Sequence, residues 1–108
     1  MTLRPGDVVL IRLQYHQTQG SKIRPAMVLL DTGDDDFVTA PVTSQPRSSE
    51  YDLALAEWKE AGLNVPSSVR VHKLTVLPKS DVVRQLGPCS GSDRDALLKV
   101  LCHVFCPR

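Results

Sequence analysis

The sequence predicts a mainly β fold with a C-terminal helix. Short runs rich in Val, Leu and Ile are separated by Pro, Gly and Asp turn signals along most of the chain. Only the last stretch changes period: Leu97, Leu98, Leu101, Val104 and Phe105 recur at i, i+3/i+4 and i+7/i+8, the stripe of an amphipathic helix. At 108 residues the chain is expected to be one domain, residues 1–108, with room for a core but not for two. Aromatic residues are only 5% of it, so Val, Leu and Ala must fill that core.

Pro5-Gly6 opens a first strand over Gly6–Gln14, whose V-V-L-I-R-L run puts Arg12 outward in the alternation. Residues 14–22 are polar and helix-poor, a loop. Pro25 starts a second strand, where a missing N–H is best tolerated. Thr32-Gly33-Asp34-Asp35 is a turn cluster that makes a hairpin with a third strand, Phe37–Val42, in which Pro41 marks an edge or a bulge. Tyr51, Leu53 and Leu55 alternate, while the Ala, Leu and Glu around them favour a helix. The expectation there is a strand running into a short helical turn at Glu57–Ala61, stopped by Gly62. Val69–Val71 and Leu74–Leu77 are further short strands, and Ser80–Leu86 is a single helical turn. Ser92-x-x-Asp95 has the outline of a capping box for the last helix. Together these elements make a small, strongly bent sheet or barrel closed by a helix.

No apolar run nears the roughly 20 residues a membrane span needs, and the N-terminus has no long apolar signal segment. Cys89, Cys102 and Cys106 are an odd, late-clustered set, which argues for a reducing compartment; a cytoplasmic protein without membrane contact is expected. Cys102 and Cys106 are i, i+4 beside His103, but no second ligand pair exists, so neither metal nor other cofactor is expected. The net charge of +1 is low for a polyanion binder. Its distribution says more. Arg12, Lys22 and Arg24 lie in an acid-free segment, as do Arg70, Lys73 and Lys79, and the carboxylates gather elsewhere. If both segments share a face, its cations attract a phosphate backbone; the plainer alternative is charge alternating along solvated strands.

Several side chains are chemically suggestive. Arg24 precedes Pro25, which holds its backbone extended, and a guanidinium there can fork onto two phosphate oxygens. It can equally pair with the Asp34–Asp36 turn. Thr43 and Ser44 follow the third strand, where hydroxyls bind phosphate or cap the loop. Arg70 and His72 are i, i+2 on the predicted short strand, hence on one face, as an anion clamp and a general acid–base or as two solvated residues. His16 lies in the polar loop, where a second imidazole can reach a substrate, although most loop histidines do nothing of the kind.

The chain resembles the MazF/PemK (Kid-like) toxins of type II toxin–antitoxin systems. The resemblance is carried by P-G-D-V-V-L-I, K-I-R-P-A-M-V-L, V-T-A-P-V-T-S-Q and W-K-E-A-G-L-N-V-P-S-S-V-R-V-H-K-L in that order, then Leu86-Gly87 and Ser90. It implies an SH3-like barrel of the plasmid-maintenance toxin (CcdB/Kid/MazF) type. It also implies a homodimer, metal-independent cleavage of single-stranded RNA at short sequences, and inhibition by a cognate antitoxin. By position Arg24 and Thr43 match the family's catalytic pair. Arg70 matches an arginine that Kid-like members use beside an aspartate two residues on, and that aspartate is His72 here. His16 and Gly20 fit a Kid-like H-x-x-x-G spacing, although two extra residues separate that glycine from Arg24.

Cleavage through the 2′-hydroxyl needs a proton acceptor, a donor for the departing 5′-oxygen and a cation for the phosphorane charge. The resemblance therefore implies Arg24 and Arg70 on the scissile phosphate, Thr43 orienting it, and His16 or His72 exchanging protons. Lys22, Ser44, Gln45 and Lys73 are the expected RNA contacts around them. The barrel family also includes a toxin that binds DNA gyrase and cleaves nothing, and the change at His72 is compatible with an inactive member; both readings stay open at the level of sequence.

Overall fold

The structure, a computed structural model, describes residues 2–14 and 20–107. Seven strands precede one helix: β1 (Asp7–Gln14), β2 (Ser21–Leu30), β3 (Asp36–Thr43), β4 (Asp52–Ala54), β5 (Ser68–Arg70), β6 (Thr75–Pro78), β7 (Val82–Pro88) and α1 (Gly91–Phe105). All the strand pairs are antiparallel. Their order is β4-β5-β3-β2-β1-β7, with β6 on a second stretch of β3. The expected mainly β chain with a C-terminal helix is what forms.

The central strands read as unbroken apolar runs because both faces of the sheet are covered. Val8 of β1 and Met27 and Leu29 of β2 enter one cluster, with Val69, Val71, Leu97 and Ala61. Their neighbours Val9, Ile11, Ala26 and Val28 enter the other, with Leu3 and Phe37. Alternate side chains point to opposite faces, so a strand buried on both must be apolar at every step. Small aliphatic residues do fill the interior; Phe37 is its one fully buried aromatic among the described residues.

The β2–β3 hairpin forms as expected, with Ala26 opposite Pro41 and Leu30 opposite Val38. Its acidic turn folds on itself. The Asp31 carboxylate accepts the Gly33 N–H at 2.8 Å and that of Asp34 accepts the Asp36 N–H at 3.0 Å, while Gly33 takes φ +94°. Lys79 Nζ closes on Asp31 at 2.8 Å.

Several expectations need correction. The second strand starts at Ser21, not Pro25. Pro25 is tolerated inside it because its only ladder partner is β1, the β3 ladder beginning at Ala26. Ser80–Leu86 is not a helical turn: a 3₁₀ turn at Lys79–Asp81 leads into β7. Its half-exposed sequence has no period-2 pattern, and β1 supplies the ladder through two register shifts. The strand predicted over Val69–Val71 ends at Arg70, and Val71–Lys73 form a 3₁₀ turn.

The helix is capped two residues earlier than predicted. Ser90, not Ser92, is the N-cap, its hydroxyl accepting the Asp93 N–H at 3.1 Å. Asp93 is only 3% exposed and reaches across the fold, accepting the N–H groups of Ala56 and Glu57 at 3.0 Å each. Glu57 begins the segment expected to be a helical turn at Glu57–Ala61; it forms consecutive turns without becoming a helix. Gly62 does stop it. With φ +91° it donates to Lys59 O while Leu63 donates to Trp58 O, a Schellman pair. A Cβ at Gly62 would lie 2.9 Å from Leu86 Cβ, so glycine is required both for the turn and for its close seat on β7. On α1 itself Leu97 is buried, whereas Leu98 and Phe105 of the predicted stripe are half exposed.

Candidate functional site

β2 and β3 part beyond the Ala26–Pro41 pair. β2 stays with β1, Pro25 opposite Leu10 and Arg24 opposite Ile11. β3 turns instead to β5, Val42 opposite Val69 and Thr43 opposite Ser68. Two prolines, Pro25 and Pro41, sit at the fork, and neither can donate a ladder hydrogen bond, so the strands separate there. The opening is a cavity of about 700 Å³, within the usual size range of ligand sites. Arg24 and Pro25 line one side and Val42 to Gln45 the other. Gly62 to Val65 and Ser67 form a wall, and Arg84 and Leu86 of β7 lie beyond Leu10.

The structure therefore brings together Arg24, Thr43, Ser44 and Gln45 from the sequence-predicted set. Arg24 is exposed and makes no ion pair with any described carboxylate, including those of the Asp34–Asp36 turn. The Thr43 hydroxyl accepts the Gln45 N–H at 3.1 Å, so it caps the loop with its oxygen and keeps its proton for another acceptor. Gln45 Oε1 accepts from Arg47 at 2.9 Å, which leaves its amide N–H groups for a ligand. Among the described residues this lining holds no carboxylate and no imidazole.

Arg70 and His72 line no part of this cavity. Arg70 faces Asp52 across β4–β5, with Nε 3.1 Å from Oδ1, and the Asp52 side chain is only 2% exposed. Burial alone would raise the Asp52 carboxyl, but the Ser49 hydroxyl at 2.6 Å and the Arg70 guanidinium outweigh it and hold it below the ordinary value. The shared strand face expected for Arg70 and His72 does not exist. The Val71 N–H bonds to Tyr51 O and the chain turns, so His72 stands on the 3₁₀ turn with its ring 5.4 Å from that of Tyr51. Its buried Nδ1 has no hydrogen-bond partner among the described residues.

Lys22 and Lys73 are exposed and outside the cavity. His16 lies outside the described residues. The proposed face of six cations is broken up, because Arg70 and Lys79 are spent on ion pairs and Arg12, opposite Ile23, alternates away from Lys22 and Arg24. Cys89 is buried, which pushes its thiol up; Cys102 and Cys106 are exposed, and a hydrogen bond between them raises the Cys106 thiol. Among the described residues no three His, Cys, Asp or Glu side chains gather as metal ligands, and no helix is long and apolar enough to cross a membrane.

Sequence reasoning missed Arg84, Asn64 and Ser67. Reading V-V-R-Q-L as a strand would have drawn attention to Arg84. Asn64 and Ser67 carry no periodic signal; the turn closed by Gly62 brings them to the cavity wall.

Comparisons with known proteins agree with this architecture. Residues 4–105 match the family model of the PemK-like, MazF-like toxin of type II toxin–antitoxin system. A search of the curated proteins finds no match. Among solved structures, Mycobacterium tuberculosis toxin MazF-mt6 is similar at TM-score 0.72 and 24% identity, over 94% of this chain and 96% of that one. An endoribonuclease in complex with its cognate antitoxin, from a Mycobacterial species, is similar at TM-score 0.77 and 17% identity, over 100% and 99%. A MazE-MazF structure from Deinococcus radiodurans gives TM-score 0.77 and 19% identity, over 96% of both chains. At these identities the structures speak for the fold, and the family model speaks for membership. A match spanning nearly the whole chain, on a sheet of this topology, places the protein in the PemK-like, MazF-like family of type II toxin–antitoxin toxins.

Proposed function

We propose that this toxin is a metal-independent endoribonuclease that cleaves single-stranded RNA at short sequences, as a single domain spanning residues 1–108. Arg24 and Thr43 are its central pair. The observation that carries the reading is their meeting in one cavity: two strands that diverge at a proline fork present a guanidinium with no carboxylate partner among the described residues and a hydroxyl with its proton to spare.

Arg24 forks onto the non-bridging oxygens of the scissile phosphate and stabilises the charge that builds as the 2′-oxygen attacks phosphorus and the 5′-oxygen leaves. Thr43 donates to the same phosphate and fixes its orientation. Arginine, with a pKa above ~12, is a poor proton donor. The proton of the 2′-hydroxyl therefore passes to an imidazole, and the same class of group returns one to the 5′-oxygen. His16 is the first choice, because in the sequence it stands a few residues ahead of Lys22 and Arg24. His72 lines no part of the cavity, which makes it the second choice. Ser44 and Gln45, with Lys22 beside Arg24, hold the strand on either side of the cleaved bond.

By likeness to the antitoxin-bound neighbours, the chain takes a cognate antitoxin, and by family it acts as a cytoplasmic homodimer. The test is incubation of a long single-stranded RNA with the purified, antitoxin-free protein in EDTA, alongside Arg24→Ala. Discrete fragments that disappear in the variant are expected. Intact RNA from the folded wild-type protein would overturn the reading and direct attention to a protein target such as DNA gyrase.

A further inference from the structure

We propose that Arg84 is a second phosphate-binding residue of this cavity, gripping the RNA backbone beside the phosphate held at Arg24. The inference rests on the ribonuclease reading and assigns a role to a residue that the family resemblance did not single out.

The register supplies the geometry. Arg84 of β7 stands opposite Leu10 of β1, and Leu10 stands opposite Pro25 of β2. Residues directly opposite one another in antiparallel strands share a face, so Arg84, Leu10 and Pro25 form one row across three strands, while Arg24, opposite Ile11, alternates to the other face and meets the cavity where β2 and β3 part; all four line it. Two strand spacings put the Arg84 backbone about 10 Å from that of Pro25. That span suits a neighbouring phosphate of an extended chain better than a shared grip on one. Register shifts flank the pairing, between Val8 and Val9 and between Leu10 and Ile11, and such bulges commonly re-aim a side chain near a functional site.

Charge points the same way. Arg84 is exposed and makes no ion pair among the described residues, and the described lining of the cavity contains no acid. Two guanidiniums in one concave site without a carboxylate repel each other and concentrate anions. The remaining polar lining, the hydroxyls of Thr43, Ser44 and Ser67 with the amides of Gln45 and Asn64, donates and accepts hydrogen bonds as phosphates and base edges require.

The test is a salt titration of binding to a random-sequence 2′-O-methyl RNA single strand, which cannot be cleaved through its 2′-position. In Arg84→Gln, the slope of log K against log salt should fall by about 0.7, the value of one phosphate contact on a single strand. Arg84→Lys should recover most of that slope, and Arg70→Gln should leave it unchanged. An unchanged slope in a folded Arg84→Gln protein would overturn this inference and leave the ribonuclease reading standing. Failure of the wild-type protein to bind the strand at all would overturn both.

Discussion

Arg24 and Arg70 carry the same guanidinium on the same sheet, in opposite company. Arg24 stands where β2 and β3 part, in a cavity whose described lining holds no acid. Arg70 stands where β4 and β5 join, 3.1 Å from a carboxylate that is almost fully buried and also held by Ser49. A guanidinium held through Nε to a buried carboxylate has part of its charge already neutralised and its aim fixed by that pair, and breaking such a pair is costly. One without a partner binds at no such cost. The difference teaches that the cation's surroundings, more than its presence in a motif, decide whether it is available to substrate.

The comparison can be broken by giving Arg24 the company Arg70 has. Thr43→Glu removes the hydroxyl and places a carboxylate in the cavity; cleavage should fall by at least about 10²-fold, measured under single-turnover conditions, with the melting curve little changed.

A smaller effect is expected where the two regions are tied together. The Asp93 carboxylate, from the helix, caps the turn that ends at Gly62 and so supports the cavity wall. Asp93→Ala leaves two N–H groups without their acceptor and should cost about 2 kcal/mol in urea unfolding. Asp52→Asn keeps the shape but removes the charge opposite Arg70. About 1 kcal/mol of stability should be lost, with cleavage within a few-fold of wild type.

The smallest effect concerns the acidic turn. The Lys79 ammonium, then the Gly33 N–H, hold the Asp31 carboxyl at about 2, against 3.8 for the unperturbed group. Below pH 3.8 the unfolded chain takes up this proton while the folded chain resists it, so the contribution to stability is complete above 3.8 and is lost as pH falls through about 2. Asp31→Asn should flatten the fall of the urea midpoint across that window.

Much of this was legible in the sequence, for physical reasons that also mark the limits. The β2–β3 hairpin is local, and Gly33 with its flanking aspartates specifies the turn directly. Arg24 and Thr43 could be singled out because each stands in a short local motif, Arg24 directly before Pro25 and Thr43 in a run of hydroxyls, while the fork that joins them in one cavity appears only in the fold. β7 was missed because a half-exposed strand is made by its partner β1 and not by its own period. With it went Arg84, whose role depends on a row crossing three strands. The pairing of Arg70 was missed because Asp52 lies eighteen residues earlier, and nothing in either segment announces the contact. The helical stripe was only partly over-read: the core takes Leu97 from it and Leu101 packs against that core, while Leu98 and Phe105 stay half exposed.

The most direct test is the single-turnover cleavage rate of one short RNA substrate by Arg24→Ala and Arg70→Ala, each first shown by thermal melting to be folded. The account predicts a loss of about 10²-fold or more for Arg24→Ala and only a few-fold loss for Arg70→Ala. A collapse of cleavage in Arg70→Ala, with Arg24→Ala close to wild type, would contradict it and move the chemistry to the β4–β5 junction.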